Sequence, residues 1–127
     1  MTQKISIYDY INYREYLKDY YTLQKTTTKF FSYWYFSGKA GFSSQNVLKQ
    51  VIDGQRNVAK KSIHKFCTAL NLSEVESQYL GLLVRFNQSK NPEEKDDAFK
   101  KINIFKNNLS LKQKNIFETN LTQLTCK

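Results

Sequence analysis

Apolar side chains recur at intervals of three and four along most of this 127-residue chain, the spacing of one helix face. From Asn12, the positions Tyr13, Leu17 and Tyr20 repeat at i, i+4 and i+7, with Asn12 and Glu15 as a capping pair and Asp9 as an alternative start. The run Gln24–Lys29, with Thr26, Thr27 and Thr28 in sequence, loses that period and reads as a loop. Ser32 caps a short helix from Tyr33 to Ala40, which Gly41 ends because a residue without Cβ takes the left-handed conformation at no steric cost.

Ser43 and Ser44 are both capping types, and Leu48, Val51 and Ile52 make a two-turn apolar face before Asp53-Gly54 stops the segment. After the polar turn Gln55-Arg56-Asn57, the residues Ile63, Phe66, Cys67 and Leu70 share one face of a fourth helix. Ser73 and Glu76 form a capping box for a fifth, with Val75, Tyr79, Leu82, Leu83 and Phe86 as its stripe. Asn91-Pro92-Glu93-Glu94 starts a sixth, which runs through Phe99 and Ile102, and a last helix is expected from Ser110 with Phe117, Leu121 and Leu124 in register.

With one Pro and four Gly there is too little turn chemistry for a many-stranded sandwich or barrel, and the length is too short for a Rossmann or TIM-barrel enzyme. Lys and Arg number 20 against 11 acids, a formal charge of +9 that favours a polyanionic partner. Cys67 and Cys126 form no CxxC and pair with no His, which argues against zinc and a disulfide framework and fits a reducing cytoplasm. No apolar run is long enough to span a bilayer, and MTQKISIYDY lacks the apolar stretch of a signal peptide. No nucleophile–base pair, phosphate loop, metal cluster or small-molecule site is evident, so no enzyme and no cofactor is expected; Glu93, Glu94, Asp96 and Asp97 answer to the helix dipole.

Residues 31 to 73 carry the informative order of features. Ser37, a small residue, lies four before Gly41, where two helices must cross closely. Ser44, Leu48, Val51, Asp53-Gly54, Arg56-Asn57 and the helix from Ile63 to Leu70 follow in turn. This order resembles the Cro/repressor-type helix-turn-helix family, although the stretch from Gly41 to Leu48 is one residue longer than the usual pattern, which puts Ser44 rather than Ser43 at the cap. More closely, YREYLKDYY, FSYWYF, KAGFSS, LKQVIDGQRN and LLVRFNQSKNPEEK are similar to the N-terminal half of a bacterial paralogous family of predicted regulators expanded in Bdellovibrio and Fibrobacter, over about Tyr8 to Phe105.

The resemblance implies an all-α, lambda-repressor-like helix-turn-helix bundle, with residues 1–90 as the DNA-binding domain and 91–127 as a helical extension available for dimerisation. It further implies a cytoplasmic transcription regulator acting on double-stranded DNA as a homodimer, on half-sites about 34 Å apart. A recognition helix from Ser44 would bury Leu48, Val51 and Ile52 and present Ser44, Gln45, Asn46, Lys49 and Gln50 to base edges. Gln and Asn bond adenine bidentately and Lys reaches guanine. Tyr33, Lys39, Arg56, Lys60, Lys61 and Lys65 are the candidate phosphate contacts, and Asp53 is the only acid between Lys29 and Glu74.

A plainer reading stands beside each of these. Lys60, Lys61 and Lys65 also suit a solvated helix face, His64 points off the apolar stripe as an idle exposed side chain, and Cys67 suits a small core position. Trp34 and Tyr35, next to the expected buried positions Tyr33, Phe36 and Ser37, either pack under the first helix or form a partner surface. The alternative function is therefore a protein-interaction module on the same scaffold, with RNA binding third. Tyr79, Leu83, Phe86 and Phe99 are the candidate dimer contacts.

Overall fold

The computed structural model describes residues 5–124, and their side chains through residue 108. The described residues form helices and connecting turns, with no strand. A 3-10 turn at Ile7–Asp9 precedes α1 (Tyr13–Thr27), α2 (Tyr33–Ala40), α3 (Val47–Ile52), a second 3-10 turn at Lys60–Ser62, α4 (Ile63–Ala69), α5 (Glu74–Gln88) and α6 (Pro92–Leu124). No helix among the described residues is long and apolar enough to cross a membrane.

Four of the helix starts follow their capping residues. Asn12 accepts from the Arg14 amide at 2.9 Å, without a reciprocal bond from Glu15, and Ser32 accepts from the Tyr35 amide at 3.0 Å. Ser73 and Glu76 complete the capping box in both directions. Phe31 and Phe36 flank the α2 cap with ring centroids 6.5 Å apart, a hydrophobic staple that fixes the angle at which the chain enters the helix. Asn91 receives the Glu93 and Glu94 amides at the head of α6.

Helices α2, α3 and α4 end alike. In each a left-handed residue follows, directly after α2 and one position later after α3 and α4, and the next amide reaches back five positions: Phe42 to Ser37, Gln55 to Gln50, and Leu72 to Cys67. The left-handed residues are Gly41 (φ 86°), Gly54 (φ 81°) and Asn71 (φ 57°). These are Schellman stops, and they keep three short helices short enough to fold against one another.

The core is one cluster that draws on every helix. Tyr13, Leu17, Phe36, Leu48, Val51 and Phe66 meet Tyr79, Leu80, Leu83 and Ile102 inside it. Large rings fill much of the volume: Tyr16, Tyr20, Phe31, Phe36, Phe66 and Phe42 run as a chain of edge-on and tilted contacts. Ring pairs of this kind contribute about 0.5–1.5 kcal/mol each beyond the area they bury. The rings thereby join the aliphatic side chains in closing the core.

Three elements differ from the sequence reading. The loop expected over Gln24–Lys29 begins only after Thr27, because the Thr26 and Thr27 hydroxyls donate back to the Leu23 carbonyl at 2.8 and 3.0 Å and are satisfied inside the helix. The expected break before Ser110 is absent; no Gly or Pro lies between Phe105 and Ser110, and α6 is one helix from Pro92 to Leu124. The expected side-chain register of Phe117, Leu121 and Leu124, and the Cys126 thiol, lie outside the described residues. On α5 the buried positions are Tyr79, Leu80, Leu83 and Val84, while Val75 is 47% exposed, since the helix is covered by α4 and α1 on one side and α6 on another.

That rotation also removes two candidate dimer contacts. Tyr79 and Leu83 are fully buried, and Tyr79 donates its hydroxyl to the Tyr10 carbonyl at 2.8 Å. Phe86 and Phe99 remain at the edge, tilted against each other with ring centroids 5.4 Å apart. Helix α6 returns antiparallel along α5, buries Ala98 and Ile102, and sets Phe105 against Tyr8 and Tyr79.

Candidate nucleic-acid interface

The α2–turn–α3 unit is built on Ser37. This serine is 1% exposed, and its hydroxyl donates to the Gln45 carbonyl at 3.1 Å, which ties α2 to the turn ahead of α3. A larger side chain at this crossing would hold the two helices apart. The first helical bond of α3 is from the Gln50 amide to the Asn46 carbonyl.

Helix α3 therefore begins at Val47, not at Ser44. Asn46 occupies the cap without a side-chain bond, and the Ser44 hydroxyl accepts from the Asn46 amide at 3.4 Å. Ser44, Gln45 and Asn46 are all exposed, but on the turn before the helix instead of on its first turn. Val47, Leu48 and Val51 anchor the inner face, and Ile52 is half-buried.

Lys49 and Gln50 project from α3, each already engaged. Lys49 donates to Asp53 at 2.9 Å across one turn, and that bond raises the lysine pKa above its ordinary value. Gln50 accepts from Arg56 at 3.3 Å, which links a candidate base reader to a candidate phosphate contact. Tyr33 lies flat on Tyr21, with centroids 4.0 Å apart and planes 4° from parallel. It is half-buried, where the sequence reading had it inside, and burial pushes its phenol pKa up, with Tyr21 and Asp53 adding to the effect.

The remaining cations divide. Lys39 and Lys61 are exposed. Lys65 bends onto the end of α2, donating to the Gly41 carbonyl at 3.4 Å and lying 5.0 Å from the Phe42 ring centre. A cation at a helix C-terminus is favoured by the helix dipole, so Lys65 has a structural task there as well. Lys60 sits in the 3-10 turn and faces a groove beside α5 and α6.

Three side chains that hold this region carried no sequence signal. Arg14, on α1, donates to the Val51 carbonyl, to the Arg56 carbonyl at 2.9 Å and to the Asn57 side chain at 2.7 Å. Asn87 and Gln88, at the end of α5, hold the start of α1 and the exit from α3: Asn87 accepts from the Tyr13 amide at 2.8 Å and donates to the Ile11 carbonyl at 3.1 Å. Lone polar residues on otherwise amphipathic helices look solvated in a sequence, and only the approach of a distant loop gives them partners.

Among the described residues Phe30 and Trp34 are the most exposed large apolar side chains, at 81% and 64%, and Tyr35, next in sequence to Trp34, is 47% exposed. Trp34 is thus not covered by α1. His64 is exposed and Cys67 is buried, where burial raises the thiol pKa. Among the described residues no group of three His, Cys, Asp or Glu side chains is placed to hold a metal ion. No family model, curated protein or solved structure matches this chain.

Proposed function

We propose that this chain is a DNA-binding transcriptional regulator of the Cro/repressor type, a reading that rests on the helix-turn-helix resemblance and on the distribution of charge around α3. The observation that carries it is the one-signed stretch of chain between Lys29 and Glu74, where Lys39, Lys49, Arg56, Lys60, Lys61 and Lys65 are accompanied by a single acid, Asp53. Phosphate contacts would come from the exposed cations flanking α3. Base contacts would come from Ser44, Gln45 and Asn46 on the turn and from Lys49 and Gln50 on the helix. In this reading Lys49 exchanges Asp53 for a base edge on binding, and a homodimer sets the spacing of two half-sites.

The test is selection of genomic duplex fragments by the purified protein at about 50 and 200 mM salt, with sequencing of the bound pool. An enriched, two-fold symmetric sequence is expected, with Lys49→Ala and Asn46→Ala relaxing base preference and Lys61→Ala weakening all sequences alike. Salt-sensitive binding without an enriched sequence would leave a basic surface alone. The exposure of Phe30, Trp34 and Tyr35 favours a second reading, a module that grips a protein partner through these rings, since exposed Trp and Tyr are the side chains that dominate such contacts. Failure to bind any duplex, with a partner lost on Trp34→Ala, selects it.

A further inference from the structure

A groove of about 780 Å³ runs along α5, walled by α6 on one side and by the connection between α3 and α4 on the other. It reaches from Gln78 to Ser89, about 16 Å along the helix axis. Val58, Ile63, Leu82, Ile104 and Phe105 make its surface mainly apolar. Gly81 lies within it, and a Cβ built there would meet nothing within 4 Å, so the space above this residue is open. The volume and the apolar lining with a few polar groups are those of small-molecule sites.

Charge narrows the occupant. Lys60, Arg85 and Lys101 line the groove against one acid, Glu94. Arg85 and Lys101 share Asp97, at 3.3 and 3.2 Å, whereas Lys60 has no acid within ion-pair distance among the described residues. The chain's own C-terminal stretch is a poor fit, carrying Lys112, Lys114 and Lys127 against Glu118, and a second copy brings a formal +9. An anionic head beside Lys60, with an apolar tail laid over Gly81 toward Ile104 and Phe105, satisfies both the charge and the shape.

We propose that this groove binds a small anionic amphiphile, a carboxylate with a single hydrocarbon tail. Its occupant would touch Val58, Lys60 and Ile63, the segment that leads from α3 to α4, so that binding stiffens the connection on which Lys60 and Lys61 stand. Binding at this site does not depend on the nucleic-acid reading and is measured without DNA.

Calorimetric titration of the whole chain with dodecanoate, below its micelle concentration, is the test. The expected result is one saturable equivalent, weakened about tenfold or more by Gly81→Phe, which fills the open space, and about threefold by Lys60→Gln. Trp34→Ala leaves it unchanged, which separates the groove from the exposed aromatic patch. Circular dichroism of Gly81→Phe checks its fold, and the exposed Lys60→Gln supplies an independent variant. No saturable binding of dodecanoate, equal affinity for dodecyltrimethylammonium, or indifference to both groove variants overturns the proposal.

Discussion

The side-chain amide of Gln88 pairs with the backbone of Val58 as a neighbouring strand would: Nε2 donates to the Val58 carbonyl at 3.0 Å and Oε1 accepts the Val58 amide at 2.7 Å. The same Oε1 receives the hydroxyl of Tyr13, so one glutamine joins α1, α5 and the exit from α3. Val58 is buried, and Gln88 is the partner of both its backbone groups. Gln88→Leu should therefore cost about 2–4 kcal/mol, the loss of partners for buried polar groups, and Tyr13→Phe about 1 kcal/mol. Urea unfolding midpoints decide it; equal small shifts for both would remove Gln88 from this role.

Arg14 holds three acceptors from a helix far away in sequence, one on α3 at Val51 and two on the α3–α4 connection at Arg56 and Asn57. Lysine offers a single point of donation and cannot span them. Arg14→Lys is expected to destabilise by about 1–3 kcal/mol. It should also speed hydrogen exchange selectively at residues 53–58, a local loosening that a uniform loss of stability would not produce.

Gly38 and Gly41 lie in one helix and its stop, yet they predict opposite outcomes. Gly41 has φ 86°, where a Cβ is strained whatever the space, while Gly38 is helical with nothing near an added Cβ. Gly41→Ala should destabilise by about 1 kcal/mol and Gly38→Ala should stabilise by about 0.5–1 kcal/mol. Thermal unfolding of the pair is the comparison; movement in the same direction contradicts the left-handed stop.

Tyr10 and Tyr79 tie alkaline pH to stability. Burial pushes each phenol up to about 12, helped at Tyr10 by its bond to Asp19 at 2.6 Å and at Tyr79 by the nearby Asp9 charge. Below the unfolded value near 10 both states keep the proton, and this contribution to stability is fully present. Between about 10 and 12 the unfolded chain releases it while the folded one does not, so stability falls as pH rises through that window. Denaturant midpoints from pH 8 to 12 should be level and then drop, with a shallower drop in Tyr79→Phe.

Much of the architecture was legible because its signals are local. The caps at Ser32, Ser73 and Asn91, the stop at Gly41 and the small residue Ser37 each act within a few positions, so the sequence already contains their partners. The start of α3 was not legible, since Ser44 is as good a cap as any. Instead Gln45 stays on the turn, where its carbonyl takes the Ser37 hydroxyl of α2, a contact that no local pattern announces. Asn71, which ends α4 as Gly41 ends α2, was passed over because only its φ reveals it. Tyr79 and Leu83 seemed free for a partner until α6 was seen to cover α5 from the other side.

Asp53 is the acid most exposed to the proposed DNA surface, and it already bonds Lys49. Asp53→Asn frees that lysine and adds one unit of positive charge where the candidate contacts gather. Affinity for every duplex should rise several-fold, and the dependence of log affinity on log salt should steepen by up to about 0.9. Unchanged affinity and slope would place the interface elsewhere.

The clamps from Arg14 and Gln88 also fix what can be separated from what. A fragment cut to residues 31–73 would contain every feature of the helix-turn-helix and neither of the side chains that close its exit loop, which arrive from 42 and 30 positions away. Contacts of that span require the intervening chain to be looped before they return any energy. The α2–α3 unit is thus held from outside, and a piece of this protein that keeps the exit loop of α3 closed is one that still contains both α1 and α5.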